Sequence, residues 1–169
     1  RNPIYHTIVP AAMEHLLLGA IPREASLLAI LQRQFSNVKD VHLSRGGVCR
    51  YHLFVQITKT VEGEPKNIIM GAFAGHPDLK QIIVVDDDVN VHDATAVEWA
   101  VATRFQASKD LVIIPMAQGS RLDPSGENGL VDKMGLDATK PLKSKPLQFT
   151  VVNVPGEDDP ALLKKWIDQ

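Results

Sequence analysis

The segment KQIIVVDDDVN, residues 80–90, constrains the fold more than any other part of the chain. Its apolar half, residues 81–85, has no polar side chain in alternation, as is typical of a strand covered on both faces. A helical pattern over residues 94–104, with Asp93 as its N-cap, and an apolar strand over residues 111–114 follow. Strand, helix and strand in this order predict a parallel crossover in an α/β domain.

Other patterns complete a layered α/β prediction, with a mixed, partly parallel sheet flanked by helices. Pro22 and the apolar spacing after it predict a helix over 22–35 that starts at this proline. Alternating apolar residues over 49–58 predict a strand, paired as a hairpin with residues 38–44. A helix of small residues is predicted over 66–75.

The last third of the chain is harder to interpret. Residues 115–146 lack convincing periodicity, and a loop of that length in a compact domain is usually functional or packed against a partner. A strand is predicted over 148–152, and a short helix over 159–167.

Length and charge limit the class of protein. With 169 residues and 44% hydrophobic side chains, the chain is expected to form one domain over 1–169. A net charge of -2 provides no basic field for nucleic acid or an anionic membrane, so neither partner is expected. The single cysteine, Cys49, fits a reducing compartment and favours the cytoplasm. The first residues, RNPIYHTIVP, resemble the interior of a longer protein, so the chain is expected to be a fragment.

The three carboxylates Asp86, Asp87 and Asp88 allow two interpretations. Acidic residues at the carboxyl end of a parallel strand are placed where ligands bind, and their oxygens suit Mg²⁺. Alternatively, they satisfy the following turn and pair with Arg104, because Asp accepts backbone N–H bonds and adjacent strand residues point to opposite faces. On the second interpretation no metal binds, and Asp87→Ala lowers stability by about 1–3 kcal/mol.

The order of several motifs resembles one family. VVDDDVNVHDATAVEWAVATRF is followed by KDLVIIP, LDPS and KMGLDATKP, and preceded by GGVCRYHLFVQITK and KNIIMGAFAGHPDLK. This order resembles the C-terminal domain of the UbiD-type, polyprenyl-hydroxybenzoate carboxy-lyase-like decarboxylases. The resemblance covers most of the chain, from about residue 2 to residue 142.

The resemblance implies a reversible, non-oxidative decarboxylation of an aromatic or α,β-unsaturated carboxylic acid. It assigns prenylated FMN, manganese, potassium and all catalytic residues to a preceding N-terminal domain, so Glu14 and Arg23 are not assigned catalytic roles. This domain is then expected to assemble a homodimer or higher homo-oligomer and to close the active site. The chain alone is expected to bind no cofactor and to be inactive.

The resemblance also suggests a pocket wall for substrate or cofactor. His76 in FAGHPDLK, and Ser120 and Leu122 in QGSRLDPS, match positions that face substrate or cofactor in the family. The alternatives are a helix-capping histidine for His76 and ordinary loop packing for Leu122. A second hypothesis, independent of the family, is a free-standing α/β protein that uses Asp86 to Asp88 for a metal-dependent reaction on a nucleotide or phosphate.

Overall fold

The computed structural model describes residues 13–145 and 147–150. Within them, one five-stranded sheet has the strand order β1-β2-β3-β5-β4. Its strands are β1 (Val38–Leu43), β2 (His52–Ile57), β3 (Gln81–Asp86), β4 (Leu111–Gln118) and β5 (Leu130–Ala138). β2, β3 and β5 are parallel, whereas β1 and β4 are antiparallel edge strands. The predicted α/β class with a mixed, partly parallel sheet is confirmed.

Helices cover both faces of this sheet. The helices α1 (Met13–Gln34) and α2 (Glu64–Gly75) pack on one face, and α3 (Ala94–Arg104) packs on the other. A short helical turn, α4 (Ala107–Asp110), precedes β4. Alternate residues of β3 enter opposite cores: Ile82 packs in the core with α1 and α2, and Ile83 in the core with α3. Coverage of both faces therefore explains the uninterrupted apolar run.

The first helix is longer than predicted. α1 begins at Met13, and Pro22 lies inside it. The prediction that Pro22 starts the helix is therefore wrong. Ala20, two residues before the proline, is buried in the same core as Leu27, so packing against the sheet stabilises the turns on both sides of Pro22. Other predicted elements are confirmed, including the β1–β2 hairpin, α2, and α3 with its N-cap: Asp93 accepts hydrogen bonds from the amides of Thr95 and Ala96.

The long loop predicted over residues 115–146 is wrong, because it contains a central strand. β5 lies between β3 and β4 and pairs with both. Its alternation is hidden in the sequence because Lys133 and Asp137 are buried charged residues, and Gly135 has no side chain. A Cβ at Gly135 would clash with Ile69 of α2, so the glycine permits close packing of helix and strand.

The predicted parallel crossover from β3 to the next strand is also wrong. α3 leads to β4 at the edge, which is antiparallel to β5, and the parallel neighbour of β3 is β5 itself. Near the end of the described chain, Gln148 and Phe149 form a turn rather than the predicted strand. The rest of that strand and the predicted helix over 159–167 lie outside the described residues. No helix of the described part is long and apolar enough to cross a membrane.

Candidate functional site

The acidic motif lies at the carboxyl end of β3. Asp86 is the last residue of the strand, and Asp87 and Asp88 form the turn that follows. Arg104 Nη1 donates to Asp86 Oδ2 at 2.8 Å and to Asp88 Oδ1 at 3.0 Å, and its Nη2 donates to Asp88 Oδ2 at 3.0 Å. One guanidinium therefore bridges two of the three carboxylates, in the bidentate geometry that arginine favours.

A second cation completes this group. The Lys140 amide donates to Asp86 Oδ2 at 2.7 Å, and Lys140 Nζ donates to Asp88 Oδ2 at 2.9 Å. Asp87 instead accepts a hydrogen bond from Thr58 Oγ1 at 2.8 Å. The middle carboxylate of the three is thus the one without a bond to Arg104.

The pKa values of Asp86 and Asp88 shift in opposite directions. The Arg104 side chain is 1% exposed, and its guanidinium lies 5.4 Å from the centre of the Trp99 ring. Burial raises the pKa of Asp86. Burial acts in the same direction on Asp88, but hydrogen bonds from Arg104 and Lys140 outweigh it and hold the pKa of Asp88 below its usual range.

The acidic motif is arranged to pair with cationic side chains. Within residues 13–145 and 147–150, no group of three histidine, cysteine or acidic side chains is placed to hold a metal ion. Two protein cations already bind Asp86 and Asp88. The chemistry of this group is therefore that of a buried anchor between β3, α3 and the residues after β5.

The predicted pocket-wall residues lie at the opposite, amino end of the parallel strands. His76 is where α2 ends, and its amide donates to the carbonyl of Ala72 at 3.1 Å. The Asp78 amide donates to His76 Nδ1 at 3.3 Å, so the ring proton of the neutral form is on Nε2. The capping alternative is thus present in the structure, and the imidazole still has one N–H for another partner.

Ser120 and Leu122 lie in the connection between β4 and β5, residues 119–129, which we call the β4–β5 loop. Ser120 is buried, and its Oγ accepts a hydrogen bond from the Leu122 amide at 3.3 Å. Leu122 is 44% exposed. Tyr51 lies beside Ser120, but its buried hydroxyl has no hydrogen-bond partner of normal geometry among the described residues. Burial raises the pKa of this phenol.

Three cationic side chains lie close enough to His76 for their charges to act on it, and no motif in the sequence groups them. Burial, together with the charges of Arg23, Arg50 and Lys133, lowers the pKa of His76, whereas Asp78 acts in the opposite direction. Arg50 Nη1 lies 3.5 Å from Asp78 Oδ2. Burial and the charge of Arg50 also lower the pKa of Arg23. We call these five residues the amino-end cluster; its excess of positive charge suits an anionic ligand.

Lys133 is the most deeply buried cation of the amino-end cluster and is only 4% exposed. Its Nζ donates to the carbonyl of Pro77 at 2.6 Å and lies 5.3 Å from the centre of the Phe73 ring. Burial lowers the pKa of Lys133, and Asp78 opposes this shift. The cations come from α1, the residues before β2, and β5, so no sequence spacing reveals them.

A groove of about 890 Å³ opens on the α3 side of the sheet. None of His76, Ser120 and Leu122 lines it. Its lining combines apolar and polar side chains from the strands, the β1–β2 connection and α3, including Phe54, Ile83, Leu136, Arg45, His52 and Glu98. The groove and the predicted pocket wall are therefore separate features.

Comparison with known proteins identifies the domain. Residues 16–138 match the family model described as the 3-octaprenyl-4-hydroxybenzoate carboxy-lyase C-terminal domain. The anhydromevalonate phosphate decarboxylase of Aeropyrum pernix is 53% identical over 137 residues, which are 81% of this chain and 31% of that protein. The protein of the same name from Methanocaldococcus jannaschii is 45% identical over 158 residues, 92% of this chain and 38% of that protein.

A solved structure agrees with the sequence matches. The UbiD-class enzyme HmfF from Pelotomaculum thermopropionicum, in complex with FMN, superposes with a TM-score of 0.84 at 49% identity, over 96% of this chain and 36% of that one. An evolved dimeric form of HmfF, in complex with prFMN, gives a TM-score of 0.73 at 43% identity, over 98% of this chain and 34% of that one. The chain thus spans about a third of the length of the proteins it matches.

Proposed function

Because this chain belongs to the UbiD, or 3-octaprenyl-4-hydroxybenzoate carboxy-lyase, family as its C-terminal domain, we propose that it is the C-terminal part of a decarboxylase. The enzyme acts reversibly and without net oxidation on an α,β-unsaturated or aromatic carboxylic acid. The match over residues 16–138, in the same order of motifs as the family, carries this proposal. The relatives named above support it, since both are named decarboxylases.

The substrate that we favour is an unsaturated acid that also bears a phosphate, such as anhydromevalonate phosphate. The relatives at 53% and 45% identity are named for this substrate. The amino-end cluster supports the assignment, because Arg23, Arg50 and Lys133 place three positive charges near a single carboxylate, that of Asp78. Guanidinium groups recognise phosphate through paired N–H donors.

The reaction breaks the bond between the substrate carbon and its carboxylate. CO₂ leaves, the electron pair stays on the substrate carbon, and a proton takes the place of the carboxylate. Prenylated FMN, when bound, supplies an electron sink for that pair. We assign the flavin, manganese and potassium to the N-terminal part of the enzyme. In this chain, His76 donates from Nε2 to the substrate, and Ser120 and Leu122 shape the wall that excludes water.

We further propose a cytoplasmic homodimer or higher homo-oligomer in which this domain makes contacts between subunits. HmfF in its evolved form is described as dimeric. Exposed apolar side chains on β4 and β5, among them Ile113 and Met134, support the same role here. The alternative hypothesis, a metal-dependent reaction on a nucleotide or phosphate, has no support from the acidic motif, because Asp86 and Asp88 bind Arg104.

The test uses the full-length enzyme loaded with prenylated FMN. We expect CO₂ release from anhydromevalonate phosphate, and much slower release from anhydromevalonate without the phosphate and from gallate. Arg50→Met raises KM for the phosphorylated acid by about tenfold or more, because a bound phosphate loses a charged partner. Arg45→Met is the matched control, since Arg45 is exposed and lies outside the amino-end cluster. Equal rates with and without the phosphate contradict the substrate assignment.

A further inference from the structure

One ion pair fixes the β4–β5 loop to the rest of the sheet. Lys80 Nζ donates to Asp123 Oδ2 at 2.8 Å and also contacts Ser125 Oγ. The Asp123 side chain is 5% exposed, although Leu122 and Pro124 beside it are exposed. A carboxylate that is buried inside a surface loop is stable only when its oxygens are paired.

Both ends of this pair are themselves held in place. The Lys80 amide donates to the carbonyl of Tyr51 at 2.8 Å, and the Lys80 carbonyl accepts from the Met134 amide at 2.9 Å. Lys80 is thus fixed between β2 and β5. Asp123 Oδ1 accepts from the Ser125 amide at 2.9 Å and from Ser125 Oγ at 2.8 Å. Asp123 Oδ1 therefore holds the shape of the loop, and Asp123 Oδ2 connects the loop to Lys80, the residue before β3.

The pair is the loop's side-chain connection to another element. Among the described residues, the other side-chain hydrogen bonds of the β4–β5 loop are the contact of Lys80 with Ser125 and two sets that stay inside the loop, Ser120 to Leu122 and Asp123 to Ser125. Backbone packing adds contact with β5, because Gly119 and Gly126 lie so close to Val131 that a Cβ at either position would clash. Packing on Val131 thus restrains the loop at Gly119 and Gly126, on either side of Leu122.

We propose that Lys80 and Asp123 are positioning residues of the decarboxylase, and that their ion pair holds Ser120 and Leu122 in the active-site wall. This inference rests on the proposed function, which places the two wall residues against substrate. Neither Lys80 nor Asp123 touches the reacting atoms. Removal of Lys80 leaves Asp123 buried without its cation, so the loop must open to hydrate the carboxylate, whereas removal of the Asp123 charge leaves the loop without its ionic connection to Lys80.

The expected kinetic signature is a rise in KM with little change in kcat. Opening of the loop removes the contacts that place the substrate, whereas the cofactor and the groups that break the carbon–carbon bond lie elsewhere. The experiment measures the full-length enzyme with anhydromevalonate phosphate. Lys80→Met and Asp123→Asn are each expected to raise KM roughly tenfold, with kcat within about twofold of wild type. The double variant should be no worse than either single variant.

Two further variants separate positioning from general structure. Lys80→Arg keeps the positive charge, and its KM is expected to stay close to that of the wild type. Lys66→Met is the matched control, because Lys66 contacts the carbonyl of Lys109 at the other end of the sheet, and its KM should not change. Hydrogen exchange of residues 119–129 should be faster in Lys80→Met and Asp123→Asn than in wild type.

The outcomes distinguish this inference from the proposed function. If the wild-type enzyme does not decarboxylate the probe, the proposed function fails and the inference fails with it. If the wild type is active but both pair variants keep its KM, or if the loop exchanges no faster, the inference alone is overturned. Additive effects in the double variant also overturn it, because the two residues then act independently.

Discussion

At the scale of single residues, the acidic motif shows how position decides what three identical side chains do. Asp86 and Asp88 point to Arg104, which is almost fully buried, while Asp87 points to the hydroxyl of Thr58. Removal of one partner from a buried ion pair leaves the other charge uncompensated, which costs far more than a surface hydrogen bond. The stability of the fold is therefore expected to depend strongly on Asp86 and only weakly on Asp87.

The first prediction concerns that difference. Asp86→Ala is expected to lower the free energy of unfolding by about 3–5 kcal/mol, because the buried Arg104 loses its buried partner and keeps only the more exposed Asp88. Asp87→Ala, the matched control, should change it by no more than about 1 kcal/mol, since it removes one exposed hydrogen bond. This revises the sequence-based expectation of about 1–3 kcal/mol for Asp87→Ala. Urea denaturation of both variants measures the two values, and equal losses contradict the prediction.

A second residue-scale prediction concerns Asp137. Its Oδ1 accepts from the amide and the hydroxyl of Thr139, and burial raises its pKa above the usual range although those bonds oppose the shift. A carboxyl with a raised pKa in the folded state binds its proton more tightly there than in the unfolded chain. Wild-type stability should thus fall as pH rises from the unfolded pKa of about 3.9 through the folded pKa.

Asp137→Asn tests this pH dependence, because the amide oxygen keeps the Thr139 bonds and carries no charge. The free energies of unfolding of the variant and the wild type should differ increasingly in favour of the variant as pH rises from about 4 to 7. A difference that is constant with pH contradicts the assignment of the raised pKa to Asp137.

Sequence reasoning grouped only part of the residues that meet in the structure. The interpretation of Asp86, Asp87 and Asp88 as turn residues that pair with Arg104 grouped residues of one continuous motif, and the structure brings Asp86, Asp88 and Arg104 together. The amino-end cluster was missed because Arg23, Arg50 and Lys133 belong to three elements whose proximity depends on the position of β5. Because the residues of β5 were predicted to be a loop, no sequence pattern indicated that Lys133 lies near His76.

At the scale of elements, packing between α2 and β5 depends on Gly135. This glycine faces Ile69, and a Cβ at that position would lie 3.0 Å from Ile69 Cδ1 and closer still to its Cγ2. Both partners belong to buried elements in the centre of the fold, so neither can move without displacing others. The absence of a side chain thus sets the distance between helix and sheet.

The third prediction follows from this contact. Gly135→Ala should lower the free energy of unfolding by about 1–3 kcal/mol through overpacking against Ile69. Gly46→Ala is the matched control, because no atom lies within 4 Å of a Cβ there, and its effect should stay below about 0.5 kcal/mol. Ile69→Val, combined with Gly135→Ala, should recover part of the loss. Thermal denaturation of the three variants provides the comparison.

Elements were predictable where burial left its period in the sequence. β2, β3 and α3 bury mostly apolar residues, and they were placed correctly. β5 was not, because its inward residues include Lys133 and Asp137, whose burial is possible only with the partners Pro77 and Thr139. The order of strands also depended on β5, so the error in one element changed the predicted topology.

At the scale of the whole molecule, the α3 side of the sheet is covered unevenly. α3 covers part of β3 and β5, whereas the β4–β5 hairpin keeps large apolar side chains in contact with solvent. Their exposed fractions are 62% for Ile113, 63% for Met116, 39% for Leu130 and 38% for Met134. Several large exposed apolar side chains on one hairpin of a small domain are typical of an interface. In a homodimer with two-fold symmetry, this hairpin would meet the same surface of a second copy.

The last prediction is that this hairpin is the dimer contact. Light scattering behind a sizing column should give a mass near twice 18.6 kDa for the chain, and the value should persist at low micromolar concentration. Ile113→Glu places a charge in the contact and should give a monomer with unchanged thermal stability, because the side chain is exposed in the single chain. Val61→Glu is the matched control: Val61 is 61% exposed but precedes α2, away from the hairpin, so this variant should remain dimeric.

A monomer at every concentration contradicts an assembly role. A broad, concentration-dependent distribution of sizes indicates instead that the hairpin is covered by the N-terminal part of the enzyme, because an orphaned apolar surface associates without a fixed stoichiometry.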